Sequence, residues 1–232
     1  GGGTGGGPGG ALRVEGAESL GLPAEVRLEA EDEGLLELSV TPADEGVVRV
    51  LLEGDDGLMG LSNPMMVQAG LEPIWWGDLQ IHSGVSDGTG TPDDIYRYAR
   101  DVAALDLLAL TDPDHWGLRF LDTHDELWHA QLEARARYDE PGRFLALPGY
   151  EWTNWIHGHR HVVGFGEAQE LPLLSSLDES CDTPAELWDA LRGLPVLTFA
   201  HHSAGGPIAT DWDGFPPDPE LEPLTEIVSV HG

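Results

Sequence analysis

The chain contains no lysine: its 11 basic residues are all arginine, set against 42 acidic ones. The formal net charge of −31 opposes nucleic-acid backbones and anionic membranes, which are gripped by clustered Lys or Arg, so neither is expected as a partner. Such a surface mostly serves solubility. Cysteine is scarce too. Cys181 stands alone, which excludes an internal disulfide framework and any Cys-x-x-Cys metal site. No nucleophile motif surrounds it, so it reads as a small packed or surface thiol. No apolar run reaches the roughly eighteen residues a membrane-spanning helix needs. The chain starts with Gly rather than Met and stops one residue after His231, so a fragment at both ends is expected. Its compartment, cytoplasmic or exported, and its oligomeric state are left open.

What is present is globular material. The 232 residues are 41% hydrophobic, enough for one large domain or two small ones with a sizeable core. Residues 1–10 hold eight glycines and read as a flexible linker. Residues 11–72 form a β-rich segment. There Val26, Leu28 and Ala30, then Leu36, Leu38 and Val40, then Val48, Val50 and Leu52 alternate with period two, as in a small antiparallel unit. One more short strand is expected at 65–68. The unit is read as a packing appendage rather than a carbohydrate- or surface-binding module, since it shows no aromatic platform.

Residues 73–232 change to strand, helix, strand. Strands are expected at 75–81, 105–110, 144–148, 161–165, 196–200 and 226–230. Thr91-Pro92-Asp93-Asp94 announces a helix by its N-cap, first-turn proline and early acids. Its stripe Ile95, Tyr98, Ala99, Val102 and Ala103 should pack on the sheet. Thr183-Pro184-Ala185-Glu186 opens another, and a third lies within 120–138. Repeated βα units favour a mostly parallel sheet or barrel.

Most of the ten histidines fall at or just beyond apolar runs, beside carboxylates. Ligands bind beyond the carboxyl ends of parallel strands, where gathered imidazole and carboxylate can build a metal centre. His82 ends the run Gly77-Asp78-Leu79-Gln80-Ile81, in which Asp78, Gln80 and His82 should share a face. Alone, such a histidine is usually a hydrogen-bonded structural residue, and Asp87 is a turn residue. Asp112-Pro113-Asp114-His115 is good turn chemistry. Glu151 lies between Tyr150 and Trp152, where burial would require a compensating metal or an arginine such as Arg160. His157, His159 and His161 alternate, and His201-His202 closes the run 196–200, with one ring expected inward and the other elsewhere.

As an ordered set, Gly77–His82 with Ser86-Asp87-Gly88, Leu110-Thr111-Asp112, Gly149-Tyr150-Glu151-Trp152-Thr153, Ala200-His201 and residues 226–232 resembles the PHP (polymerase and histidinol phosphatase) superfamily. The likeness is nearest to an uncharacterised bacterial branch with a β-rich segment ahead of the barrel, and it covers roughly residues 62–232. It implies a distorted (βα)7 barrel, incomplete at its C-terminal end, holding Zn, Mn or Fe and commonly hydrolysing phosphoesters. The metal ligands it implies are His82, Asp87, Glu151, His201 and one of His159 or His161, with His115 a lesser candidate. Asp112 or His202 would serve as general acid–base or orienting group, and Arg160 would bind the anionic group of a small substrate.

Two departures stand out. The first His of the family's His-x-His is Gln80, and the His after Thr-Asp is Pro113, whose side chain cannot ligate. One or two ions per chain are therefore expected. The expected function is a metal-dependent phosphoesterase working through an activated water. The rival is a degenerate barrel that binds or scaffolds without turnover, and a third reading is hydrolysis of carbon–nitrogen or other ester bonds.

Overall fold

The computed structural model describes residues 10–15, 17, 21, 23–28, 41–54, 59–165, 171–205 and 208–228. The alternating run at 36–40, most of the glycine-rich start and His231 lie outside the described residues. The chain divides into two compact units, residues 1–74 and 75–232.

The first unit is antiparallel β. Strands β1 (Gly10–Glu15), β2 (Glu25–Leu28), β3 (Gly46–Gly54) and β4 (Met59–Leu61) run in the order β2-β1-β3-β4, and β5 (Met65–Val67) also pairs with β3. The period-two runs around Val26 and Val48 fall in β2 and β3. β1 lies inside this sheet, between β2 and β3, without having been legible beside the glycine-rich stretch.

The second unit is a six-stranded sheet. Its strands are β6 (Gly77–Ile81), β7 (Leu107–Leu110), β8 (Leu145–Trp152), β9 (Arg160–Gly164), β10 (Val196–Ala200) and β11 (Leu224–Thr225), in the order β11-β10-β9-β8-β7-β6. The described residues form three helices: α1 (Pro92–Asp101), α2 (Asp125–Tyr138) and α3 (Pro184–Leu191). None is long and apolar enough to cross a membrane.

This corrects the expected (βα)7 barrel. Strands β6, β7 and β8 are parallel, but β9 runs antiparallel to both β8 and β10. The reason is length. A parallel return needs about a dozen residues or more, and only 153–159 separate β8 from β9. The result is a mixed, sheet-rich α/β unit in which β6 and β11 are the outermost strands among the described residues.

Local chemistry explains the helices. Thr91 and Thr183 each close a capping box, with Asp94 and Glu186 respectively, and each is followed by proline. The expected stripe of α1 is corrected: Tyr98 and Val102 are exposed, whereas Tyr96 and Ala99 are buried against Leu108, Leu110 and Phe144. Burying such a side chain contributes roughly 1.5–3 kcal/mol. On α2, buried Gln131 donates to the carbonyls of Leu110 and Gly149, both at 2.8 Å, tying the helix across β7 and β8.

Side-chain alternation then separates two faces. Ala146, Tyr150, Trp152 and Val162 join the clusters around the helices. Ala109, Leu147 and Val163 form a smaller apolar layer on the other face. Glu151 and His161, directly paired across β8 and β9, belong to that second face. Strands β6 and β9 approach each other although β7 and β8 lie between them, so the sheet curls over this side. β6 does not keep strict alternation: its pairing with β7 shifts register between Asp78 and Ile81. Leu79 and Ile81 consequently pack into different cores, and the shared face expected for Asp78, Gln80 and His82 is broken. Of the last expected strand, 226–230, residues 229 and 230 lie outside the described residues; the described pairing falls earlier, at Leu224–Thr225, where Phe199 pairs with Leu224.

Candidate metal centre

Glu151 is 3% exposed and stands at the middle of a histidine cluster. Its Oε1 accepts from Thr153 Oγ1 at 2.9 Å and lies 3.0 Å from His159 Nδ1. Its Oε2 lies 3.2 Å from His82 Nε2 and 3.3 Å from His201 Nε2. The antiparallel return makes this possible. β8 ends, β9 begins and β10 ends at the same edge of the sheet, so Glu151, His159, His161 and His201 converge although β9 runs the opposite way.

The remaining rings close the cluster. His161 and His201 stack with centroids 4.0 Å apart, and His202 lies 4.2 Å from His201 and 4.9 Å from His159. Both histidines of the pair therefore reach the site, correcting the expectation that one would turn away. The cause is backbone: His202 has φ of 36°, in the left-handed region, at a cost of about 1–3 kcal/mol. Its N–H donates to Glu226 Oε2 at 2.8 Å.

His82 is oriented from behind. Its Nδ1 lies 2.6 Å from Asp87 Oδ1, which leaves Nε2 turned to Glu151. The loop after it is folded tightly. A side chain at Gly88 would strike the His82 carbonyl oxygen at 2.1 Å, so only glycine fits there. Asp112 pins the same loop, accepting from Ser83 N at 2.9 Å, from Ser83 Oγ at 2.8 Å and from Ser86 Oγ. With its oxygens so occupied, Asp112 positions the His82 loop.

Charge follows from these contacts. Burial alone would depress His82, but Glu151 and Asp87 outweigh it and raise its pKa to about 9. Burial would raise Glu151, yet the close approach of the His159, His201 and His82 rings holds it well below the usual carboxylate range. His161 is driven far down by burial and by His201, and His202 falls to about 4 for the same two reasons.

Several buried ring nitrogens have no hydrogen-bond partner: His159 Nε2, His201 Nδ1 and both nitrogens of His161. His82 Nε2 joins them, because it is close to Glu151 but out of line for a hydrogen bond. Unpaired buried nitrogens are costly, and a metal ion would satisfy them. Two groups have ligand atoms close enough together to hold an ion: Glu151, His161 and His201, and His159, His201 and His202.

Other candidates are placed elsewhere. His115 is fixed by Asp114 Oδ1, 2.9 Å from its Nδ1, and by Ser176 Oγ at 3.0 Å. Both partners meet the same nitrogen, so this is no Ser-His-Asp relay, which needs them on opposite ring nitrogens. Arg160 is placed apart from Glu151. It is fully buried, pairs with Glu222 Oε2 at 2.8 Å and lies over the Trp188 ring, so its carboxylate partner is Glu222 rather than Glu151. His157 parts from its alternating neighbours because residues 155–157 turn; it packs on Phe215 and Asp211.

Thr153, Glu222 and Ser176 were missed, and short-range sequence carries no signal for the last two. Trp155 was missed as well; its ring meets His159 edge-on at 5.0 Å.

A family model described as "Protein of unknown function (DUF3604)" matches residues 114–204, which include Glu151, His159, His161, His201 and His202 but not His82 or Asp87. No curated protein and no solved structure matches the chain.

Proposed function

We propose that the chain is a metal-dependent hydrolase of small anionic esters, phosphoesters foremost, in the manner of the PHP superfamily it resembles. The observation that carries the reading is the buried Glu151 among imidazoles whose outward nitrogens lack partners. Imidazole with one carboxylate suits Zn, Fe or Mn. Glu151, His161 and His201 would hold the ion, with His159, His201 and His202 the other seat; both groups draw on His201, which favours one ion over two. A bound ion would supply an acidified water as nucleophile and positive charge opposite the leaving oxyanion.

The chain's own residues prepare that chemistry. Asp87 fixes the His82 tautomer so that Nε2 faces the carboxylate, an arrangement typical of ligating histidines. Thr153 orients Glu151 from the other side. His82 lies outside both seats but shares Glu151 Oε2 with His201; protonated near neutrality when no ion is bound, it would give up that proton as an ion takes over the carboxylate.

A second reading has its own observation. Protonated His82 against ionised Glu151 is a self-contained ion pair, as would suit a binding or scaffolding unit without turnover. It leaves the orphaned nitrogens of His161 and His201 unexplained. The readings part in one assay: hydrolysis of p-nitrophenyl phosphate by chain loaded with Zn, Mn or Fe. Metal-dependent turnover lost in Glu151→Gln supports the hydrolase; metal-loaded chain inert toward phosphoester, carboxylester and amide probes overturns it.

A further inference from the structure

We infer that the rim of this site is a ring-binding subsite, built from Trp116 and Trp155 together with Arg119, three residues on from Trp116, which selects anionic esters bearing an aromatic ring. The inference rests on the hydrolytic reading of the Glu151 cluster and names its substrate class.

Two observations converge. Trp155 meets His159 at 5.0 Å and 84°, and His159 Nδ1 is 3.0 Å from Glu151, so the indole borders the reacting centre. Trp116 then meets Trp155 at 5.1 Å and 63°, forming an aromatic corner. Both rings are nearly half exposed, at 47% and 44%. Lone exposed aromatics are ordinary, but a steeply angled pair beside a polar centre offers one surface for stacking and another for an edge contact with a third ring.

The second observation is a cation. Among the described residues of the 75–232 unit, every arginine but Arg119 has a carboxylate partner. In a chain of net charge −31, an exposed guanidinium left unpaired is notable. Its segment is stapled next to the His82–Asp87 loop: Leu118 N donates to Ser86 O and Arg119 N to Val85 O, both at 3.2 Å. Gly117, at φ of 104°, permits this, since a side chain there would meet the Ser86 backbone at 2.5 Å. The fork of Arg119 is suited to a phosphoryl or carboxyl group.

The test uses full-length, metal-loaded chain and two non-hydrolysable probes, phenylphosphonate and methylphosphonate, titrated by calorimetry. Wild type should bind the phenyl probe about tenfold more tightly. Trp116→Ala, at a half-exposed position separated from His159 by the Trp155 ring, should cut that preference about three- to tenfold, and Trp116→Phe should keep most of it. Arg119→Gln should weaken both probes alike. Equal affinity for the two probes, a preference that survives Trp116→Ala, or no binding of either at millimolar concentration overturns the inference. Because binding is read without turnover, ring preference in a chain inert toward esters would sink the hydrolase and keep the subsite. Turnover without ring preference would do the reverse.

Discussion

Replacing Glu151 by Gln removes one charge while keeping shape and most hydrogen bonding, which isolates what that charge does. In the metal-free chain its clearest effect is on His82, only 20% exposed at the side chain. Burial disfavours the imidazolium, but Glu151 and Asp87 together lift its pKa from 6.5 to about 9. At 1.36 kcal/mol per pH unit this corresponds to roughly 3 kcal/mol of folding free energy, shared by the two carboxylates. The sign follows from proton binding. A histidine whose folded pKa is raised contributes fully below 6.5 and loses that contribution as pH rises through about 9. Glu151→Gln should therefore cost about 1.5–3 kcal/mol at pH 6, and the gap should close by pH 10, where the wild type buries a carboxylate whose cation has gone. Urea unfolding in excess chelator at both pH values reads this directly. A cost that is constant with pH, or that grows toward pH 10, would refute the Glu151–His82 argument.

Three further outcomes are expected. Asp87→Asn should lower metal affinity about 10- to 100-fold by freeing the His82 ring that steadies Glu151, and should cost its share of the roughly 3 kcal/mol held through His82; competition against a chromophoric chelator measures the affinity, and unchanged affinity would remove His82 from the site. Metal affinity should rise nearly tenfold per pH unit from 7 toward 9 as the ion displaces the His82 proton, seen as proton release in buffers of different ionisation enthalpy; a flat profile would mean that the ion and protonated His82 do not compete for Glu151. Arg160→Met should destabilise by about 3–5 kcal/mol because Glu222 is left buried and charged, and adding Glu222→Leu should restore most of it. A stable Arg160→Met chain with a raised KM for anionic substrate would instead return Arg160 to substrate binding.

The local signals in the sequence were good. Capping at Thr91 and Thr183 is written within four residues, and β10 was legible from its apolar run alone. Glu151 was legible as a carboxylate flanked by buried aromatics. Errors arose where a choice depended on partners distant in sequence. Arg160 is 62 positions from Glu222, so nothing local says which acid it meets. The inward face of α1 differs from the expected stripe because the sheet offers a pocket for Tyr96, between Leu108 and Phe144, that helical periodicity cannot see. The left-handed backbone that brings both His201 and His202 inward is not encoded by histidine. The direction of β9 is different: the stretch 153–159 is too short for a crossover helix, so the antiparallel return was available to length arithmetic. The repeated βα pattern favoured a mostly parallel sheet or barrel, and the resemblance sharpened that to a (βα)7 barrel, against this arithmetic.

The most direct test of the central claim is metal stoichiometry of the purified chain by native mass spectrometry, after incubation with Zn, Mn or Fe and removal of excess. One or two tightly held ions per chain, lost in Glu151→Gln and His201→Ala, is the result the account predicts. A folded chain that takes up none of the three would contradict it and leave the histidine cluster as a metal-free ion-pair core.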